Sequence, residues 1–287
     1  MIKYHLPGAF EHFKTYEILL KLYKREKKVF YDNIMIGSIY GAPGYAAWNG
    51  GRQCKVSYEE WPVLELMANN KIPLAFTFSN QCIEEKHLGD AKCNRLLELT
   101  ESEDNYVIVN SPILEEYIRE KYPKFKIISS TTKCITDKKE ADQELDKYEI
   151  VCLDYNLNDD MEYLKSIKYP EKAELLVNPV CKPNCERRKR HYQSISKSIL
   201  LNWEHWDSCE YEERFFCEVQ KYSPKFISVE KVNKLYRMGF RNFKIEGRSH
   251  NNLDVVEILT YYLIKPEYQL YVRQKLLFGE FHNFFAQ

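Results

Sequence analysis

The stretch AELLVNPVCKPNCERRKRHY, residues 173–192, joins a short, largely apolar run to two cysteines and a dense group of cations. The run 173–177 has the length of a buried strand. Cys181 and Cys185 follow it in a proline-containing loop, and the basic residues then begin at position 187. Two thiols just past a buried strand indicate a metal or an iron–sulfur centre, because both take cysteine ligands.

The rest of the chain repeats the pattern of strand-length runs followed by helical segments. Strands are predicted at 2–6, 32–39, 72–78, 106–109, 126–129, 150–154, 173–177 and 242–245. The clearest helices are predicted at 13–23, 88–99, 113–121, 160–167, 229–238 and 253–264. This rhythm predicts an α/β fold, a TIM-type (β/α)8 barrel. The rival is a doubly wound open sheet, whose dinucleotide-binding form is disfavoured because no glycine-rich loop follows the first strand.

The 287 residues fit a single barrel domain that spans 1–287. Within it, 193–227 is predicted to be a long loop or lid inserted between strands seven and eight. The segment 265–287 is predicted to form a C-terminal helical extension.

Charge and cysteine content narrow the class of protein. The 42 basic and 42 acidic residues cancel, so no overall field draws the chain to nucleic acid or membrane. No apolar run approaches the length of a membrane span, and the start MIKYHLPGAF lacks the apolar core of a signal peptide. Nine cysteines without such a signal predict a reducing compartment, and we expect a cytoplasmic protein.

Residues just past each strand predict the contents of a pocket, because the carboxyl ends of parallel barrel strands open onto one mouth. The second strand runs into GAPGYAAWNGGR, which offers Asn49 and Arg52 as polar groups and Trp48 as a stacking surface. Turns also favour polar residues, and turn chemistry accounts for part of this pattern. Other polar exits are Thr77, Ser79, Asn80, Asn110, Ser111, 129–133, Asp154, Tyr155, Asn156 and Asn178.

The eighth strand carries the motif FKIEGR, residues 243–248. Strand alternation places Lys244 and Glu246 on one face and the apolar residues between them on the other. A Lys and a Glu inside a barrel are either paired or functional, since an unpaired buried charge is costly. We therefore predict a pocket role for Lys244, Glu246 and Arg248, with a structural ion pair as the alternative.

A cluster or a zinc ion needs four ligands, so Cys181 and Cys185 require two more. Cys209 and Cys217 lie in the long loop before strand eight and are the economical choice. The alternatives are Cys82, His191 and, for zinc, His205. Ordinary reduced thiols remain the other interpretation of the pair.

The basic run 187–190 stands where a helix is expected to begin. Cations are unfavourable there, because the helix macrodipole prefers acids at its N-terminus. The mismatch indicates that these side chains bind an anion, a partner or a nucleic acid. A solvated first helical turn is the simpler interpretation.

Taken together, NPVCKPNCERRKRHY and FKIEGR resemble the U32 peptidase-like (collagenase-like protease) family, in particular its shorter single-domain members. YGAPG and the opening LPGAFEHFKTYEILL are compatible with that family's first β/α unit. The resemblance implies a TIM barrel holding a 4Fe–4S cluster. It places Cys181 and Cys185 at cluster-ligand positions and Lys244, Glu246 and Arg248 in the barrel-end motif.

Three functions follow as expectations. The first is a cluster-dependent redox enzyme, an oxygen-independent hydroxylase acting on a small aromatic or prenyl precursor or on an RNA base. It would use an electron donor or partner subunit, and its pocket would include Asn49, Arg52 and Lys244. The second is a U32-type peptidase with zinc or no metal. The third is an RNA-binding protein that uses the run 187–190.

Overall fold

Eight parallel strands close into a barrel in the computed structural model, which describes residues 1–52, 58–203 and 215–279. Each strand pairs with the next in the chain, and the eighth pairs with the first. The predicted (β/α)8 barrel is confirmed, and every strand overlaps its predicted segment. The strands are β1 (Ile2–Pro7), β2 (Ile34–Gly41), β3 (Leu74–Phe76), β4 (Tyr106–Val109), β5 (Lys126–Ser129), β6 (Ile150–Cys152), β7 (Ala173–Leu176) and β8 (Asn242–Lys244).

Helices surround the barrel, and several begin at a side-chain cap. Ser111, Asp137 and Ser228 each accept a hydrogen bond from a backbone N–H of the helical turn that follows, which fixes the helix start. The described helices are α1 (Phe13–Arg25), α2 (Glu60–Asn70), α3 (Glu85–Leu88), α4 (Ala91–Thr100), α5 (Pro112–Lys121), α6 (Lys138–Lys147), α7 (Met161–Ser166), α8 (Arg188–Leu201), α9 (Phe216–Tyr222), α10 (Val229–Arg237), α11 (Asn252–Leu263) and α12 (Gln269–Phe278). None of these combines the length and the apolar character that crossing a membrane requires.

Strand alternation divides the core into two layers. Tyr4, Leu175 and Phe243 belong to the larger layer, which packs between the strands and the helices. A smaller apolar cluster fills the barrel interior with Tyr40, Ala75, Ile108, Ile128 and Ile150, which lie on β2 to β6. On the β7, β8 and β1 side, buried polar residues take its place: His5, Glu174, Asn242 and Lys244. The barrel interior is therefore polar on the side where its sheet closes.

The segment 193–227 differs from its prediction as an irregular loop. Helix α8 continues through its first part to Leu201, and α9 occupies 216–222. The helix persists because buried residues recur at helical spacing along α8, namely Arg188, Tyr192, Ile195, Ser196 and Ser198. Residues 204–214 lie outside the described part of the chain. In the C-terminal segment, α12 packs against α1 and α11.

We predict that Leu175→Ala lowers the free energy of unfolding by about 2–5 kcal/mol, because it empties a fully buried site in the outer core layer. Urea denaturation followed by circular dichroism measures the free energy of unfolding of the variant and the wild type. Leu270→Ala is the matched control, since that side chain is 68% exposed and its loss should change stability by less than about 0.5 kcal/mol. Equal losses in the two variants would contradict the assignment of the core.

Candidate active site at the barrel mouth

A pocket opens at the carboxyl ends of the strands. Arg52, from the loop after β2, contacts Cys181, from the loop after β7, and Glu246, just past β8. Lys244, the last residue of β8, lines the same pocket. The structure thus brings together four residues that the sequence places far apart. This is the end of the barrel where the strand exits of a TIM fold assemble a site.

Glu246 joins three of the loops around the pocket. Its backbone N–H donates to Asn178 Oδ1 at 2.8 Å, and its backbone carbonyl accepts from Asn178 Nδ2 at 2.9 Å. Its carboxylate accepts from the Val180 N–H at 3.2 Å and from Arg52 Nη2 at 2.5 Å. The cysteine-containing loop and the FKIEGR motif are therefore bound directly to each other.

Arg52 contacts both Glu246 and the thiol of Cys181, whose Sγ lies 3.9 Å from Nη2. Burial by itself would lower the pKa of Arg52, but the charge of Glu246 and the neighbouring thiol outweigh it and raise the pKa well above the usual value. The guanidinium therefore stays charged beside the pocket. Gly50 allows its loop to approach closely, because a Cβ there would lie 2.4 Å from the backbone carbon of Ser79.

Lys244 lies on the pocket floor and pairs with Glu174, not with Glu246. Its Nζ is 3.3 Å from Glu174 Oε2 and 4.0 Å from the centre of the Tyr40 ring. Burial favours the protonated form of Glu174, but the neighbouring positive charge of Lys244 outweighs it and lowers the pKa of this carboxyl. Glu174 was not among the predicted site residues, although an acid inside an apolar strand was the signal that could have revealed it.

Arg248 and Asn49 hold the pocket wall together. Arg248 donates from Nε to Glu11 at 2.8 Å, from Nη1 to the Gly50 carbonyl at 3.2 Å and from Nη2 to Asn49 Oδ1 at 3.1 Å. The same Asn49 oxygen accepts from the Thr77 hydroxyl at 2.9 Å. Both side chains are buried, and their bonds fix the loop that carries Arg52.

Trp48 does not offer a surface for stacking a substrate, which corrects the expectation from the sequence. The indole is fully buried, donates from Nε1 to the His87 carbonyl at 2.8 Å and packs edge-on against Phe78. Its apolar surface explains this placement, since a large aromatic side chain gains more from the core than from an open mouth.

Tyrosines and small hydroxyl side chains line the remainder of the pocket. Burial raises the pKa of Tyr40, Tyr155 and Tyr192, so all three stay protonated phenols. The hydroxyls of Tyr40 and Tyr155 already donate to backbone carbonyls, which leaves their rings as pocket surface. Further hydroxyl groups come from Thr77, Ser79, Ser130, Thr131 and Thr132.

The predicted metal ligands do not assemble into a complete site within the described residues. Cys181 and Cys185 are both half-buried in one loop, whereas Cys217 is exposed on α9. Over 1–52, 58–203 and 215–279, no three His, Cys, Asp or Glu side chains are grouped so that they could hold a metal ion, so the alternatives Cys82 and His191 do not complete the set either. Cys209 and His205 lie outside the described residues. A four-ligand cluster or zinc site thus stays a prediction.

The basic run 187–190 divides into one buried and three exposed side chains. Arg188 is buried, pairs with Asp154 and stacks on the Tyr155 ring at 4.3 Å. Arg187, Lys189 and Arg190 are exposed at the start of α8. The expectation that all four contact phosphate therefore does not hold for Arg188, because the acidic exit of β6 binds it.

Comparison with solved structures finds a similar barrel in the structure of the U32 peptidase Mk0906. The two chains share 14% sequence identity, with a TM-score of 0.54, over 86% of this chain and 94% of that chain. At this identity the likeness concerns the fold, and the resemblance seen in the sequence is confirmed to that extent. No family model matches the sequence, and no curated protein matches it.

We predict that Arg248→Met destabilises the protein by about 3–5 kcal/mol, since it leaves the buried Glu11 carboxylate without its cation. Adding Glu11→Gln should recover much of that loss, which urea denaturation of both single variants and the double variant would measure as a coupling energy. Additive losses would show that the pair is not the reason for Arg248's burial.

Proposed function

We propose that this chain is an enzyme that binds a small polar molecule at the barrel mouth and transforms it beside Arg52, Lys244 and Glu246. The observation that carries this proposal is the convergence of three cation–carboxylate pairs around one open pocket. Buried ion pairs contribute little net stability, because desolvation offsets their attraction. Clusters of such groups in a cleft are typical of sites that handle charge in a reaction.

The side chains suggest a division of roles. Arg52 and Lys244 stabilise negative charge on the substrate, and Glu246, whose side chain is 15% exposed, accepts or returns a proton at the pocket surface. Tyr40, Tyr155 and Tyr192 offer ring surface to a flat group. The hydroxyl groups on the β3 and β5 side orient the polar atoms of that group by hydrogen bonding.

For the reaction itself we propose a redox conversion, a hydroxylation of a small aromatic or prenylated molecule, as the U32 resemblance implies. Hydroxylation without O₂ removes two electrons from the substrate, so it would need an oxygen-atom donor, or water together with a redox partner that accepts the electrons. A 4Fe–4S cluster would supply the electron transfer. Cys181 and Cys185 would provide two of its ligands, and the described residues do not supply the other two. We therefore assign no step to the cluster.

A hydrolase is the second candidate, favoured by the likeness of the barrel to a protein named as a U32 peptidase. In this chain, Glu246 beside Arg52 would act as the base, with a zinc-bound water or the Cys181 thiol as the nucleophile.

Metal analysis of protein purified without oxygen tests the redox proposal. We expect on the order of four irons with matching sulfide per chain, lost in Cys181→Ser and Cys185→Ser. Cys134→Ser is the matched control, because that half-buried thiol follows β5 and should be dispensable. Zinc alone, with cleavage of a peptide library, would favour the hydrolase, and an absence of any metal would refute the cluster.

A substrate screen with phenols, prenylated phenols and nucleosides tests the pocket. For any substrate found, we expect Glu246→Gln to lower kcat by about 10²-fold or more, because it removes the proton acceptor. Glu257→Gln is the control, since Glu257 pairs with Arg273 on the outer helices. Equal activity in the wild type and Glu246→Gln would refute catalysis at this pocket.

Salt-sensitive RNA binding that depends on Arg187, Lys189 and Arg190 would point to a nucleic-acid substrate.

A further inference from the structure

Beneath the pocket, an ionic cluster inside the barrel connects β1, β7 and β8. Glu174 is fully buried, and its Oε2 pairs with Lys244 Nζ at 3.3 Å. Its Oε1 lies 3.8 Å from His5 Nε2, beyond hydrogen-bond distance. Further titratable neighbours of this group are Cys152 from β6, Tyr40 from β2 and Tyr106 from β4, whose ring packs edge-on against His5.

The hydrogen bonds of His5 place a proton on Nε2. Asn242 Nδ2 donates to the Glu171 carbonyl at 2.7 Å, so its Oδ1 is turned to accept from His5 Nε2 at 3.2 Å. The Nδ1 atom shares a 2.8 Å hydrogen bond with the Ser38 hydroxyl, which can donate or accept. Burial outweighs the attraction of Glu174 and lowers the pKa of His5, so the imidazole is neutral at pH 7 with its proton on Nε2.

A neutral His5 leaves one full positive charge to balance the Glu174 carboxylate, and that charge is Lys244. The ammonium in turn lies between this carboxylate and the face of the Tyr40 ring, with its tip at the pocket floor. A buried pair of this kind is no more stabilising than apolar residues of the same volume. Its placement directly under the pocket therefore calls for a role beyond stability.

We infer that Glu174 is a positioning residue that holds Lys244 charged and aims one of its N–H groups from the pocket floor at an oxygen acceptor of the ligand. The matching ligand carries a carbonyl, carboxylate or phenolate oxygen at its buried end. This inference rests on the proposed function for the presence of a ligand, whereas the pairing of Glu174 with Lys244 stands without it.

The test is the reactivity of Lys244 toward acetic anhydride as a function of pH, followed by peptide mass spectrometry in the whole protein. Only the uncharged amine reacts, so the midpoint of labelling reports the charge state of Lys244. In Glu174→Gln we expect this midpoint to fall by about one pH unit or more, because burial then opposes the ammonium without a counter-charge. Lys265, which pairs with Asp32 at the surface, is the internal reference.

Glu11→Gln is the matched variant, since it removes a buried carboxylate that pairs with Arg248 and should leave the Lys244 midpoint unchanged. Glu174→Asp shortens the side chain while keeping its charge, and a smaller shift in the same direction is expected. An unchanged midpoint in the Glu174 variants, or an equal shift in Glu11→Gln, would overturn the inference.

If an N–H group of Lys244 contacts the ligand, Glu174→Gln should weaken the binding affinity for a substrate found in the screen by at least about tenfold. This is the effect of losing one hydrogen bond from a charged donor. An unchanged affinity would overturn the inference that Lys244 contacts the ligand. Because labelling requires no substrate, a failure of the enzyme proposal and a failure of the positioning role give separate results.

Discussion

The reciprocal contact between Asn178 and Glu246 is the constraint on which the rest of the site depends. Its two hydrogen bonds join the Asn178 side chain, just past β7, to the backbone of Glu246, just past β8. They fix the direction in which the Glu246 carboxylate points. That carboxylate then sets the positions of Arg52 and of the Val180 N–H, directly before Cys181. One clamp between two neighbouring loops thus orients a residue from a third loop across the mouth.

The three ion pairs around the mouth have different structural consequences. Arg248 uses its planar fork to tie Glu11 to the loop after β2, and little of it is exposed. The Arg52 and Glu246 pair is the more open one, with 22% and 15% of the side chains exposed. A half-buried pair can exchange its partner for a ligand at a smaller desolvation cost than a fully buried one. Among the three pairs, Arg52 and Glu246 are therefore the groups that the proposed reaction would use.

The sequence predicted the barrel and several residues that line the pocket at its mouth, because strand periodicity and strand exits are local features. Lys244 and Glu246 face the pocket as alternation requires. Their partners were not predictable, since Glu174 reaches Lys244 through the pairing of β7 with β8, and Arg52 reaches Glu246 from a distant loop. The predictions for Trp48 and Arg188 were wrong for a related reason, since both side chains are buried against residues that are distant in the sequence. Local rules give the direction of a side chain, and tertiary contacts give its partner.

The interior of the barrel is uneven, and its charged groups gather on one side. From β2 to β6 the interior is filled by an apolar cluster that includes Ile108 and Ile128, which excludes charge. Between β7 and β1 the polar groups lie beneath the mouth, so only a ligand bound above them gains from their field. A fold shared at 14% identity does not fix a reaction, since one barrel hosts many chemistries. The asymmetry belongs to this chain's own residues, and an oxygen-bearing group bound on the β8 side would lie nearest the ammonium of Lys244.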